Sequence, residues 1–281
     1  ARGPARSTPP ATVLRQAQKL VDGGHRELVL VGTHLGRYGH DLPGAEPTLA
    51  QLCESLCEVP GLQRLRLSSI EPLEVSEELI RLVLAGGRSL DGAGRPGRGK
   101  LCRHLHIPLQ SGCNATLQRM RRPYRREQYA ELVQTIVAGA PLVAIGADVM
   151  TGFPGETEEE FAQTLQFIES LPLAYLHVFT YSPRPGTVAA AMPHQVNPEV
   201  RKRRTQLLRA VSEQKRAAFA RGAVGETLEV VVEGRRGNLL TGLSDNYLEV
   251  VVEGPDELRG QVVAVRVRAL ADGLLVGDLR G

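Results

Sequence analysis

Five polar or glycine-rich segments each follow a short β-like run: Gly32–Gly39, Ser68–Glu71, Gln110–Gly112, Gly152–Glu156 and Ser182–Gly186. In βα barrels every parallel strand delivers its next loop to one shared mouth, so five segments in that position predict one site on one face. In His104-Leu105-His106-Ile107-Pro108-Leu109-Gln110, strand alternation sends Leu105, Ile107 and Leu109 toward covering helices and turns His104, His106 and Gln110 to the interior. Polar groups there need partners or a ligand. Two chemistries suit the pair: histidines hydrogen-bonded inside a filled lumen, or metal ligands at His-x-His spacing as in zinc hydrolases of barrel fold. The second needs more donors, for which His34 and His177 are available.

The run Ala147 to Thr157 reads as a strand entering a tight turn, with Thr157 and Glu160 spaced as a capping box. The free N–H groups of the following helix would face an anionic or polar ligand. Gly152 and Gly155 permit close backbone approach, and Glu156 could bind a hydroxyl or ammonium group. In Tyr181-Ser182-Pro183-Arg184-Pro185-Gly186 two prolines stiffen the loop around Arg184, making a rigid exit turn or an anchored guanidinium for carboxylate or phosphate. Arg119, Arg121, Arg122, Arg125 and Arg126 flank Tyr124, which suits a solvated helix face or an RNA backbone with its bases. Cys53 and Cys57 begin a C-x-x-x-C-x-x-C spacing, but its third position is Pro60. They also lie i, i+4 on a helical pattern with Leu49, Leu52 and Leu56, so they read as core thiols and not metal ligands.

The elements that must position these groups alternate up to about residue 220. Strands are predicted at Glu27–Val31, Gln63–Leu67, His104–Leu109, Val143–Met150 and Tyr175–Tyr181. Helices are predicted at Ala11–Asp22, Thr48–Glu58, Ser76–Ala85, Arg126–Ala138, Thr157–Ser170 and Pro198–Arg221. The series opens on a helix with no strand before it, so a first strand is missing. Residues 86–99, with six glycines in fourteen positions, read as a flexible inserted loop. After Gly222 the pattern changes to five short alternating strands, Thr227–Glu233, Leu239–Gly242, Tyr247–Glu253, Gln261–Arg268 and Leu274–Leu279, in the manner of an OB-fold barrel. The fold class is therefore α/β, a partial TIM-like (βα) barrel over residues 1–218 followed by a small all-β barrel over 219–281.

With 281 residues, 42% hydrophobic and 23% charged, and a mean hydropathy of −0.14, the chain is globular, too long for a disulfide-stapled peptide and without an 18-residue apolar run. Four cysteines and no signal-like leader point to a reducing compartment, the cytoplasm. Net charge +3 is too small to diagnose nucleic-acid binding. From Ala217 onward seven arginines meet ten acidic residues, so the basic surplus lies in the larger part. The start at Ala1, without an initiating methionine, reads as that of a fragment.

Taken in order, ARGPARS, LVLVGTHLGRYGHDL, LRLSSIEP, LCRHLHIPLQSG with LQRMRRPY, ADVMTGFPGETEEEF, VFTYSPRPGT and GLSDNYLEV resemble the radical S-adenosylmethionine methylthiotransferases that modify tRNA. SSIEP with GTHLGRYG is most similar to the branch acting on threonylcarbamoyladenosine beside the anticodon.

The resemblance implies an enzyme of the transferase class that places a methylthio group on C2 of that nucleoside. It implies S-adenosylmethionine and two 4Fe-4S clusters as cofactors, a radical SAM partial barrel at 1–218, and an RNA-gripping TRAM domain at 219–281. The partners would be tRNA and an electron donor such as flavodoxin or ferredoxin. By position, Gly32 and Thr33 would approach the methionine moiety, and Gln110, Ser111 and Gly112 would line the cofactor site. Asp148, Gly152 and Glu156 would meet ribose or adenosine, Tyr181 and Arg184 cofactor or substrate, and Asn246 and Tyr247 the RNA. No metal ligand is expected in this chain: the family's cluster cysteines would lie upstream of Ala1, leaving the chain alone inactive. It departs from the family in the long 86–99 loop and in His34, where a small polar residue is expected. The competing readings are a metal-dependent barrel hydrolase using His104 and His106, and a noncatalytic RNA-binding fragment.

Overall fold

The computed structural model describes residues 6–42, 47–85, 99–140 and 142–280. In chain order its elements are α1 (Pro10–Asp22), β1 (Glu27–Leu30), α2 (Leu49–Cys57), β2 (Arg64–Leu67), α3 (Glu77–Leu84), β3 (His104–His106), α4 (Asn114–Arg119), α5 (Arg126–Gly139), β4 (Ala144–Thr151), α6 (Glu158–Ser170), β5 (Tyr175–Thr180), α7 (Val188–Ala191) and α8 (Pro198–Gly222). The barrel strands follow as β6 (Thr227–Arg236), β7 (Leu239–Ser244), β8 (Glu249–Glu253), β9 (Val262–Ala271) and β10 (Leu274–Arg280). Residues 86–98 of the glycine-rich insertion lie outside the described residues. The described residues form two compact units that interleave in sequence.

The first unit draws on 1–105, 140–144 and 219–281. Strands β1 and β2 pair in parallel, Glu27 opposite Arg64 and Leu30 opposite Leu67, and Leu101 bridges Leu65 on the far edge of β2. Thr48 and Gln51 cap α2 reciprocally, which aims Leu49, Leu52, Cys53 and Leu56 inward. Ser76 caps α3, placing Leu79 and Val83 in the same interior. The five C-terminal strands close into a barrel of order β10-β8-β7-β6-β9. Period-2 burial along β6 and β7 fills it with Leu228, Val230, Val232 and Leu240, joined by Val250, Val265, Val267 and Leu275. The chain leaves α8 through Ala220 and Ala223, which belong to this same core.

Arg64 and Arg66, in the fully buried strand β2, explain how the unit holds together. Glu27 pairs with both, at 2.5 Å from Arg64 Nη2 and 3.0 Å from Arg66 Nε. Several of their donors also reach barrel carbonyls: Arg64 Nη1 to Glu229 and Leu243, Arg66 Nη2 to Ser244 and Nη1 to Asp245. A buried charge needs such pairing, because an unmatched guanidinium away from water is costly. The alternation of strand β2 is visible in the sequence; nothing there tells that both arginines point into protein.

The second unit draws on 106–139 and 145–218. Its sheet has the order β3-β4-β5 with parallel β4 and β5, Asp148 opposite His177 and Gly146 opposite Tyr175. The chain after β3 stays beside β4 through Ile107 N–H to Gly146 O and Leu109 N–H to Asp148 O. Helices α5 and α6 cover it with Tyr129, Val133, Ile136, Phe161 and Ile168. Thr157 and Glu160 form the expected capping box at the start of α6.

Candidate cofactor and substrate sites

In the first unit the loop after β1 builds a cavity of about 180 Å³ lined by Ser7, Thr8, Gly32, Thr33, His34, Arg37 and Tyr38 among others. The segment around Ser7 is clipped to it: Ser7 N–H and Oγ both donate to Asp41, the Tyr38 hydroxyl donates to Thr8 O, and Gly39 N–H donates to Ser7 Oγ. His34 Nε2 lies 2.9 Å from Glu74 Oε1. Burial pushes the Glu74 carboxyl up, and His34 only partly opposes it. A Cβ on Gly32 would meet Leu35 at no less than 3.4 Å, and its φ is ordinary. The protein's own packing therefore does not demand glycine there, whereas a ligand in close contact with the backbone would.

In the second unit Gln110, four residues past β3, is in the left-handed region, φ 67°. Its N–H donates to Asp148 O and its carbonyl accepts Met150 N–H, so the sheet itself fixes the strained backbone. Gln110 lines a cavity of about 300 Å³ with Met120, Arg121, Arg122, Pro123, Met150 and Phe153. The Tyr124 hydroxyl ties the arginine turn to Pro108 O and Leu109 O. Phe153 meets Tyr181 edge to face, centroids 5.6 Å apart. The buried Tyr181 hydroxyl has no partner among the described residues. An aromatic and thioether wall with an amide fits a nucleoside.

Other predicted residues are committed to the protein itself. Ser111 is buried, its Oγ on Thr164 Oγ1 and accepting Cys113 N–H, and a Cβ on Gly112 would strike Phe167 at 2.8 Å. What approaches Gly152 is the aliphatic stem of Arg201, where a Cβ would fall 2.1 Å from Cγ. Glu156, expected at a ligand hydroxyl, is buried: Oε2 accepts Gly152 N–H at 2.7 Å and faces Arg204 Nη1 at 2.7 Å. Arg184 is exposed, and its carbonyl accepts from Thr187 N–H and Oγ1, the geometry of a rigid exit turn.

His106 and Asp148 do come together, joined by His177: His106 Nε2 lies 2.9 Å, and His177 Nδ1 3.4 Å, from Asp148 Oδ1. Burial pushes the Asp148 carboxyl up, but the two imidazoles outweigh it and hold it below the usual range. His104 is not among these donors. Its ring stacks on Tyr247, centroids 4.3 Å apart, so the sequence pairing of His104 with His106 is corrected: backbone alternation gives them one strand face but not one set of partners.

Asn246, expected at RNA, is fully buried in the first unit. It accepts the Ser244 hydroxyl at 2.6 Å and donates to Leu142 O at 3.2 Å. Tyr247 follows with φ 65°, its ring between His104 and the Arg66 guanidinium. Sequence reasoning missed Arg64, Arg66 and Arg204, for which side-chain type alone suggests solvent.

The four cysteines do not fit an iron–sulfur cluster. Burial pushes the Cys53 thiol up to about 12 and those of Cys57 and Cys102 to about 11, and no group of three thiols gathers among the described residues. No helix among the described residues is long and apolar enough to cross a membrane.

The chain is 42% identical over 234 residues to the threonylcarbamoyladenosine tRNA methylthiotransferase MtaB of Bacillus subtilis (strain 168), covering 83% of this chain and 49% of that protein. It is 35% identical over 234 residues to a tRNA-2-methylthio-N(6)-dimethylallyladenosine synthase of Thermoanaerobacter pseudethanolicus, covering 83% and 46%. The chain thus spans about half the length of the curated relatives it matches. Coproporphyrinogen III oxidase from Escherichia coli shares the fold at TM-score 0.52 and 14% identity, over 84% of this chain and 60% of that one. The profile of the Radical SAM superfamily matches residues 1–168, the stretch that carries both loop-lined cavities through Phe153. Strand-end loops, parallel sheets and that profile agree: the chain belongs to the radical SAM superfamily.

Proposed function

We propose that the protein is a tRNA methylthiotransferase acting at C2 of N6-threonylcarbamoyladenosine next to the anticodon. Residues 1–218 would supply the S-adenosylmethionine-binding partial barrel and 219–281 an RNA-binding TRAM domain. The observation that carries this reading is the 42% identity over 234 residues to a threonylcarbamoyladenosine enzyme. S-adenosylmethionine, bound beside a 4Fe-4S cluster whose ligands this chain's described residues do not provide, supplies the radical chemistry that attacks an inert C–H.

The roles left to this chain are binding, orientation and shielding. Gly32 and Thr33 present backbone to the methionine end. Gln110, Met150 and Phe153 hold a nucleoside, and Asp148 offers a carboxylate. Tyr181 supports the wall from behind through its edge-to-face contact with Phe153. Ser111, Gly112, Gly152 and Glu156 act one layer out, by fixing the loops that carry these contacts. In this reading the protein works in the cytoplasm with tRNA and a flavodoxin- or ferredoxin-like donor.

The test is the complete gene product, reconstituted anaerobically with iron and sulfide and given S-adenosylmethionine, reductant and tRNA bearing threonylcarbamoyladenosine. Mass spectrometry of the digested tRNA should show the methylthio product, with 5′-deoxyadenosine formed alongside. An intact cluster that yields no 5′-deoxyadenosine rejects the superfamily chemistry for this protein. 5′-Deoxyadenosine with product only on dimethylallyladenosine rejects the substrate assignment alone.

A further inference from the structure

We infer that His106, Asp148 and His177 form a binding site for one divalent transition-metal ion. Each residue comes from a different, adjacent strand of one sheet: β3, β4 and β5. The register places His177 directly opposite Asp148. The Leu109 N–H to Asp148 O bond keeps the chain after His106 alongside β4. Ligands carried on strands are held more precisely than ligands carried on loops.

His106 Nε2 and His177 Nδ1 converge on the same oxygen, Asp148 Oδ1, at 2.9 and 3.4 Å, and one atom from each of the three residues lies within 4.8 Å of the others. Bonds of about 2.0–2.2 Å around a tetrahedral ion hold their donors roughly 3.3 Å apart, so a small movement of His177 would complete three corners. Two imidazoles and one carboxylate suit zinc, cobalt(II) or iron(II); magnesium and calcium prefer oxygen donors throughout.

A second layer is already built. Tyr175 Oη lies 3.3 Å from Nδ1, the other nitrogen of His106, as an orienting partner behind a metal-bound imidazole would. The sheet makes room for it: Tyr175 stands opposite Gly146, where a Cβ would fall 2.2 Å from Cζ. Access comes from the other side. His106 is buried, the Asp148 side chain is 24% exposed and that of His177 50%, which leaves an open position for water or a substrate oxygen.

The test of the site needs neither tRNA nor S-adenosylmethionine. The chain, stripped with chelator, is titrated with Co²⁺ under reducing conditions. The expected result is a visible d–d spectrum without a thiolate charge-transfer band, saturating at about one ion per chain and displaced by Zn²⁺. His177→Ala, at a half-exposed position and checked for an unchanged melting curve, should abolish saturation. Tyr175→Phe should weaken binding about 10–100-fold with the spectrum retained. Absence of Co²⁺ uptake by the native chain, uptake undiminished in His177→Ala, or a spectrum dominated by thiolate donors would each overturn the assignment.

Discussion

Arg204 Nη1 stands 2.7 Å from Glu156 Oε2 with both side chains almost fully excluded from water, and that same oxygen accepts the Gly152 N–H. The pair closes the loop between β4 and α6 into a ring whose corners are a backbone amide, a carboxylate and a guanidinium. Arg204 also donates to Glu156 O and, through Nη2, to Glu158. Burial raises the Glu156 carboxyl while Gly152 N–H and Arg204 oppose it, so the ion pair depends on both partners.

Removing only the cation should therefore cost more than removing the pair. Arg204→Ala is expected to destabilise the protein by about 3–5 kcal/mol, since it leaves a buried carboxylate without its counter-ion. Arg204→Met combined with Glu156→Leu is expected to recover most of that loss. Urea unfolding of the single and double variants measures both, and equal losses would mean that the clasp is not ionic.

Gln110 offers the opposite trade. A residue with a Cβ held at φ 67° is strained by about 1–2 kcal/mol, and glycine relieves that at the cost of about 0.5–1 kcal/mol of added freedom in the unfolded chain. Gln110→Gly should thus be neutral to stabilising by up to about 1.5 kcal/mol. Under the proposed function it should also weaken S-adenosylmethionine or substrate binding, because the side chain lines the cavity. A variant that loses stability would show that the amide, and not the backbone, governs this position.

Much of this was readable in the chain itself, and the gaps have physical causes. Each of the five βα strands and five barrel strands shows period-2 or continuous apolar patterning, and the Thr157/Glu160 box marks the start of α6 where the structure has it. Helices α4 and α7, six and four residues long, are shorter than two turns and leave no 3.6-residue period to detect. The site was harder to read. A strand pattern tells which face His104 and His106 share, but partners come from neighbouring strands, and Asp148, Tyr175 and His177 sit far from them in sequence. Glycines mislead in the same way: Gly152 looks like room for a ligand, and the structure fills that room with Arg201.

Glu127 carries a pH signature of its own. It accepts from Asn114 Nδ2 at 2.9 and 3.1 Å and from Arg126 Nε at 3.0 Å, and the Asn114 bonds chiefly hold its carboxyl down to about 2. A carboxyl depressed by folding adds stability that is fully present above its unfolded value of about 4.3 and disappears as pH falls through the folded value. The tie between α4 and α5 should therefore weaken between about pH 4 and pH 2. Carbon-detected titration of the Glu127 carboxyl should show the low midpoint, and Asn114→Ala should return it toward the ordinary range. A normal midpoint in the native chain would refute the tie.

The turn Ser244-Asp245-Asn246-Tyr247 gives the sharpest contrast between two uses of one motif. If Asn246 and Tyr247 met RNA directly, replacing them would lower tRNA affinity and leave folding untouched. In the structure Asn246 is sealed from water between Ser244 and Leu142, Asp245 holds the Arg103 guanidinium at 2.6 Å, and Tyr247 lies against His104. Asn246→Ala should then leave the Leu142 carbonyl unanswered and cost about 1–3 kcal/mol. Tyr247→Ala should lose the stacking with His104, worth about 0.5–1.5 kcal/mol. Hydrogen exchange should speed up at Arg64–Leu67 in both variants, because Arg66 of that strand is anchored on the Ser244 and Asp245 carbonyls of the same turn. Lower tRNA affinity in these variants at unchanged melting temperature and unchanged exchange would assign the motif to RNA instead.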